Sequence, residues 1–244
     1  MKRIPNPPTH FEQLQLKTEF IEPSQLLRLA RMDPSTHLEF HEEAHFRFDA
    51  PDRSFGVLYA AFDLETCFVE AELREAPAIT PAGSRPVLDY RRLAARRVLS
   101  FKSGRKARPL KLIKLYEEGL VAAHTDNRIS AIDDYPRTQQ WAKAFYEHPF
   151  RADGVLYVSR FMAPRLSAVL FNRVADAVAI ATITPLLAHP DLPSLISDLD
   201  LAIVDREGLG LLRVRVAHCV TSPLVGTPSN TFLYSPYPSA SRSL

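Results

Sequence analysis

The sequence predicts an α+β fold, a single domain of mixed strands and short helices, and three observations carry that reading. Short apolar runs rich in β-branched and aromatic residues recur along the chain, as at residues 55–61, 155–160 and 166–171, a composition that suits a half-buried pleated surface. Between such runs lie stretches with helical spacing, the clearest at 137–147, where Trp141, Phe145, Ala142 and Ala144 offer an apolar side. The chain has 244 residues, 46% hydrophobic and 24% charged, the ordinary mixture of one sizeable globular domain.

In chain order, residues 1–22 are polar and Pro-rich and read as an N-terminal extension with one short helix around 10–17. A domain is expected over 23–220. It opens on a buried strand at 26–30, followed by a charged segment at 37–45 and by residues 46–51, where Pro51 ends any regular element. After the strand at 55–61, Asp63 stands as N-cap for a helix over 64–74. Cys67, Phe68, Ala71 and Leu73 supply that helix with apolar surface, and Glu70 sits beside them. Strands are expected at 98–101 and 110–116, then the helix at 137–147 and a turn at Asp153-Gly154. Strands at 155–160, 166–171 and 177–184, a helix at 192–199 and a last strand at 212–220 complete the domain. Residues 221–244 hold 13 Pro, Ser or Thr with Arg242 as the sole charge, the composition of a disordered or draped tail.

Composition also excludes several classes of function. A net charge of +2 argues against a dedicated nucleic-acid binder, which needs surplus Lys and Arg to neutralise phosphates. Between Tyr90 and Arg108 there are eight Lys or Arg and no acid, yet no aromatic platform is interleaved, so solvated basic loops are expected there. Cys67 and Cys219 lie far apart and form neither a disulfide framework nor a metal-ligand spacing, which fits a reducing cytoplasm. The most apolar stretch, 177–188, contains two Thr and a Pro and is too short to span a membrane. Pro5, Asn6, Pro7 and Pro8 stand where a signal peptide needs an apolar core.

Two constellations could carry chemistry. His41-Glu42-Glu43-Ala44-His45 is an H-E-x-x-H, which on a helix would set two zinc ligands on one face with Glu42 as general base and Glu65 or Glu70 as a third ligand. Arg47 and Pro51 follow at once and no long apolar helix surrounds it, so a charged surface turn is the competing reading. The second constellation is dispersed. Arg28 lies inside an apolar run and Arg47 between two phenylalanines, positions that suit a guanidinium meeting phosphate or carboxylate. Glu70, beside an apolar helix face, needs a partner or a catalytic duty. Structural ion pairs are the plain alternative for all three.

In this order the motifs resemble the RES domain family. Residues 46–51 (FRFDAP) are similar to its Arg-aromatic-Asx-Pro loop, 55–61 (FGVLYAA) to its strand, and 65–70 (ETCFVE) to its helix start. Tyr135, Thr138, Gln139 and Trp141, then 153–160 (DGVLYVSR), complete the likeness. The family's Arg, Glu and Ser would be Arg28, Glu70 and Ser159, with Arg31 competing for the first place; Cys67 and the inserted Ala50 depart from the usual text.

The resemblance implies an ADP-ribosyltransferase-like fold and NAD as substrate, cleaved at the nicotinamide–ribose bond by a phosphorylase, glycohydrolase or ADP-ribosyltransferase. It also implies a bacterial toxin restrained by an Xre-type antitoxin. Glu70 would stabilise the oxocarbenium-like centre, Arg28 and Arg47 would hold the pyrophosphate or an incoming phosphate ion, and Tyr59 and Ser159 would meet the nicotinamide riboside end. No metal is required by that chemistry. No Gly-rich dinucleotide loop is present, which counts against a Rossmann dehydrogenase. A zinc hydrolase on His41 and His45 and a basic binding module remain the rival readings.

Overall fold

The alternating apolar runs become strands, and the short periodic runs become the helices that cover them. The computed structural model describes residues 4–31, 38, 40–74, 86–205 and 210–212. In chain order come β1 (Thr18–Ile21), β2 (Leu27–Arg31), β3 (Val57–Ala61), α1 (Leu64–Phe68) and a π-helical turn, Val69–Leu73. Next are β4 (Val87–Asp89), α2 (Tyr90–Ala94), β5 (Arg96–Ser103), β6 (Leu110–Leu115), α3 (Glu118–Ala122), α4 (Arg128–Ala131) and α5 (Tyr135–Glu147). The chain continues through β7 (Gly154–Val158), β8 (Leu166–Phe171), β9 (Val178–Pro185), α6 (Leu192–Asp198), β10 (Ala202–Asp205) and β11 (Gly210–Leu212).

The main sheet runs β1-β6-β7-β8-β3-β2-β5-β9, and a small sheet runs β11-β10-β4. Within the main sheet only β6 and β7 are parallel. A parallel pair needs a crossover, and α3, α4 and α5 supply it. Gly154 opens β7 because a Cβ there would lie 2.1 Å from the Val169 carbonyl oxygen of β8.

Around α5, Trp141 and Phe145 pack on Phe48, Phe55, Val155 and Phe171 from the neighbouring strands and loop. A second apolar layer, with Leu58, Leu99, Leu112, Leu156 and Leu170, fills the opposite face of the sheet. Phe68 of α1, Leu93 of α2 and Leu195 of α6 form the third against Leu29 and Val98.

Residues 4–21, expected as part of an extension, belong to this core. Ile4, Phe11 and Leu16 are buried, Trp141 Nε1 donates to the Pro5 carbonyl at 2.8 Å, and β1 pairs with β6. Four apolar residues, Ile4, Phe11, Leu14 and Leu16, unevenly spread over thirteen positions give no periodic signal, which is why local pattern misses this packing. The helix expected at 10–17 is a single 3-10 turn, Phe11–Gln13. The tail at 221–244 and nearly all of the strand expected at 212–220 lie outside the described residues.

One irregularity positions the site. β2 pairs with β5 at five positions, from Leu27↔Ser100 to Arg31↔Arg96, but with β3 only at Leu27↔Ala61. The sheet therefore parts on one side of β2, and Arg28, Leu29, Ala30 and Arg31 line the opening.

Candidate active site

A cavity of about 630 Å³ occupies that opening, within the size range of small-molecule and cofactor pockets. Seven arginines and three carboxylates line it, an excess of positive charge that selects for an anionic ligand.

Glu70 reaches the cavity from the helix that follows β3. Asp63 caps α1 by accepting from the Thr66 N–H at 2.7 Å, as the sequence predicts. The expected continuous helix over 64–74 instead widens into the π-helical turn at Val69–Leu73, a feature frequent at functional sites. Within that turn Glu70 lines the cavity, while Glu72 is buried against Arg92 and Arg96. Ser159, just past β7, donates its Oγ–H to Glu70 Oε1 at 2.6 Å and accepts from the Met162 N–H at 3.2 Å. Ser159 is 1% exposed and stands behind the carboxylate, where it orients Glu70.

Arg28 fills the split between β2 and β3. Its Nη1 donates to the Tyr59 carbonyl at 3.5 Å, its Nη2 lies 3.1 Å from His41 Nε2, and its buried Nε has no partner. Burial pulls its pKa below the usual value, with the Cys67 thiol and Tyr59 acting in the opposite sense. The Cys67 thiol itself is pushed up to about 12 by burial. Among the described residues no carboxylate pairs with Arg28, so its guanidinium stands in the cavity wall without a counter-charge.

The 46–51 loop is fastened from three sides. Asp49, fully buried, accepts from the N–H groups of His45 (3.0 Å) and Phe46 (2.6 Å) and from the Tyr59 hydroxyl (2.9 Å). Gln139 of α5 donates to the Phe46 carbonyl at 2.9 Å. Arg47, 8% exposed, spends Nη1 on the carbonyls of Ile129 (3.2 Å) and Ile132, with Asp133 3.8 Å from Nη2. It thus reaches the cavity preset by backbone.

Tyr59 presents its ring to the cavity, edge-to-face with Phe46, but its hydroxyl is committed: it donates to Asp49 and accepts from the Phe48 N–H at 2.9 Å. Burial and Asp49 raise its pKa well above the usual phenol value, so it stays a donor. Tyr59→Phe is therefore expected to act on stability, losing about 1–3 kcal/mol by leaving Asp49 and the Phe48 N–H short of a partner. Thermal denaturation checks this; an unchanged Tm would mean that water replaces the hydroxyl at no net cost.

The H-E-x-x-H segment lacks the geometry its spacing requires. His41 forms an isolated antiparallel bridge with Val57, and the residues after it make bends and turns, so the two imidazoles share no helix face. His41 faces Arg28, and His45 meets Glu43 at 2.8 Å. Among the described residues no group of three or more His, Cys, Asp or Glu could hold a metal ion. The 90–108 stretch is largely paired: Arg92 and Arg96 with Glu72, Arg105 and Lys106 with Asp176, Arg108 with Asp153.

Several cavity residues escape sequence reasoning. Tyr157 of β7 is buried beside Glu70 and Arg47, which act on its ionisation from opposite directions, and burial raises its pKa. Its place two residues before Ser159, on the same face of the strand, was the available signal. Arg74 lies over the rings of Phe46 (4.6 Å) and Tyr135 (5.5 Å), cation–π contacts that no sequence spacing reveals.

The family model described as "RES domain" matches residues 25–193. The chain belongs to the RES domain family. The loop at 46–51, Tyr59, Glu70 and Ser159 all fall inside the RES match, whereas β1, β10 and β11 lie outside it. Among solved structures this RES chain is similar to a chain of the crystal structure of the M. tuberculosis MbcT–MbcA toxin–antitoxin complex. The TM-score is 0.51 at 18% identity, over 74% of this chain and 95% of that one. The likeness extends to the fold, which is mixed α+β. A search of the curated proteins finds no match. Among the described residues no helix is long and apolar enough to cross a membrane.

Proposed function

We propose that this RES protein consumes NAD by cleaving the bond between nicotinamide and ribose, as the toxin of a toxin–antitoxin pair acting in the cytoplasm. The observation that carries this reading is a carboxylate, Glu70, held by Ser159 at 2.6 Å in an arginine-lined cavity large enough for a dinucleotide. In the reaction the C1′–N bond breaks and its electron pair stays on the nicotinamide nitrogen, which neutralises the pyridinium. The ribose C1′ becomes electron-deficient, and Glu70 stabilises that charge directly or through the ribose hydroxyls. Arg28 and Arg47 hold the diphosphate, and the ring of Tyr59 packs against the nicotinamide riboside end. Water, phosphate or a protein side chain then supplies the electron pair that closes C1′. The likeness to a chain of a toxin–antitoxin complex supports a protein partner, and we take that partner to be an Xre-type antitoxin that restrains the enzyme.

Incubating the purified protein with NAD, with and without phosphate, and identifying the products tests the reaction. Nicotinamide release with ADP-ribose, its 1″-phosphate or a modified protein identifies the acceptor, and intact NAD sinks the proposal. Activity is expected to survive chelators, since the charge stabilisation comes from side chains; stoichiometric zinc whose removal abolishes turnover would revive the H-E-x-x-H reading.

Arg47→Lys separates ligand binding from structure. Lysine keeps the charge but cannot hold the carbonyls of Ile129 and Ile132 while offering a second edge to a phosphate. NAD affinity is expected to fall about tenfold or more, the equivalent of one charged hydrogen bond. Calorimetric titration reads this, and an unchanged Kd in the folded variant refutes the diphosphate role.

A further inference from the structure

The cavity contains a second group of arginines that the proposed reaction leaves unused. Arg31, at the end of β2, is the direct cross-strand partner of Arg96 on β5, and both line the cavity with Arg92 of α2. Like charges directly opposite on one sheet face repel and destabilise the pair. One buried carboxylate offsets part of this: Glu72 lies 2.5 Å from Arg92 Nε and 2.5 Å from Arg96 Nε. Among the described residues, three guanidiniums against one carboxylate leave two positive charges in excess. Arg96 is 9% exposed and cannot turn out to solvent. Arg31 makes no ion pair or hydrogen bond among the described residues. Glu72 thus holds two of the three guanidiniums before any ligand arrives, and Arg31 completes the group from the end of β2.

We propose that Arg31, Arg92 and Arg96 form a subsite for a second phosphoryl group, apart from the diphosphate held by Arg28 and Arg47. The dianionic charge of a phosphate monoester matches the excess of two, and its tetrahedral oxygens accept from several guanidinium forks at once. The group is the monoester of a phosphorylated dinucleotide. The placement rests on the NAD-consuming reading, in which the dinucleotide occupies the rest of the cavity.

Calorimetric binding of ADP-ribose, ADP-ribose 2′-phosphate and inorganic phosphate to the full chain, to Arg31→Ala and to Arg31→Gln tests it. Arg31 is exposed, so neither substitution opens the core. With an esterified phosphate, ADP-ribose 2′-phosphate binds the natural chain about tenfold or more tighter than ADP-ribose, and both variants abolish the difference. An advantage that persists in the variants, or two nucleotides that bind the natural chain alike, overturns the proposal. If neither nucleotide binds, the NAD reading fails by itself. Arg31-dependent binding of inorganic phosphate alone would then still uphold the subsite, and its absence would remove it.

Discussion

Glu70→Gln is expected to fold normally and to lose NAD turnover by roughly 10²–10³ in kcat, the usual cost of removing one preorganised group that stabilises transition-state charge. The amide keeps the size of the carboxylate and still offers an oxygen to the Ser159 hydroxyl, so packing at the π-helical turn is preserved. What disappears is the negative charge that the proposed reaction sets beside the ribose C1′. Because that charge acts when positive charge develops, the loss belongs in kcat, with NAD affinity changed far less. Steady-state kinetics on a variant whose thermal unfolding matches the parent checks this. A folded Glu70→Gln protein with near-normal kcat would remove Glu70 from the mechanism.

Glu72→Ala is expected to do the reverse, damaging stability first. The Glu72 side chain is fully buried and bridges Arg92 and Arg96. Arg92, whose side chain is 44% exposed, can relax into water once its partner is gone. Arg96 cannot, and a buried charge stripped of its partner costs about 3–5 kcal/mol. For a domain of this size that corresponds to a fall in Tm of roughly 6–20 °C. Burial already lowers the Arg96 pKa, with Glu72 as the main opposing influence. Thermal denaturation of Glu72→Ala and Glu72→Gln decides the matter. A Tm that barely moves would mean that Arg96 finds other solvation and that the pair contributes no net stability.

Glu70 and Glu72 show where local reading works and where it stops. Asp63 before an apolar helical run marks the start of α1 by capping chemistry alone, and Glu70 stands out because it sits beside an apolar face. Nothing local separates it from Glu72, two residues on, which proves to be the buried ion-pair carboxylate. The partners that separate them lie far along the chain: Ser159 holds Glu70, and Arg92 and Arg96 hold Glu72. Tyr59 makes the same point. Its position on β3 is plain from the 55–61 pattern, but the commitment of its hydroxyl to Asp49 and the Phe48 N–H arises only when the loop folds back on the strand. Arg28 was conspicuous as a charge in an apolar run. Its reason for being there, the parting of β2 from β3, is a matter of long-range register.

By itself the sequence determined the kinds and most of the positions of the elements, because apolar periodicity and capping act between residues a few positions apart. It also marked Arg28, Arg47 and Glu70 by their unusual surroundings, and the resemblance to the RES family added Tyr59 and Ser159 as expected site residues. Only the tertiary structure decided which of them face the cavity, that residues 4–21 join the core, and which cations keep a free edge. Those outcomes depend on partners far apart in the chain, such as Glu70 and Ser159 across 89 positions or Arg47 and Ile132 across 85. A short-range pattern carries no information about contacts whose loops are that long, and burial, which sets the strength of each charge interaction, exists only once the strands have paired.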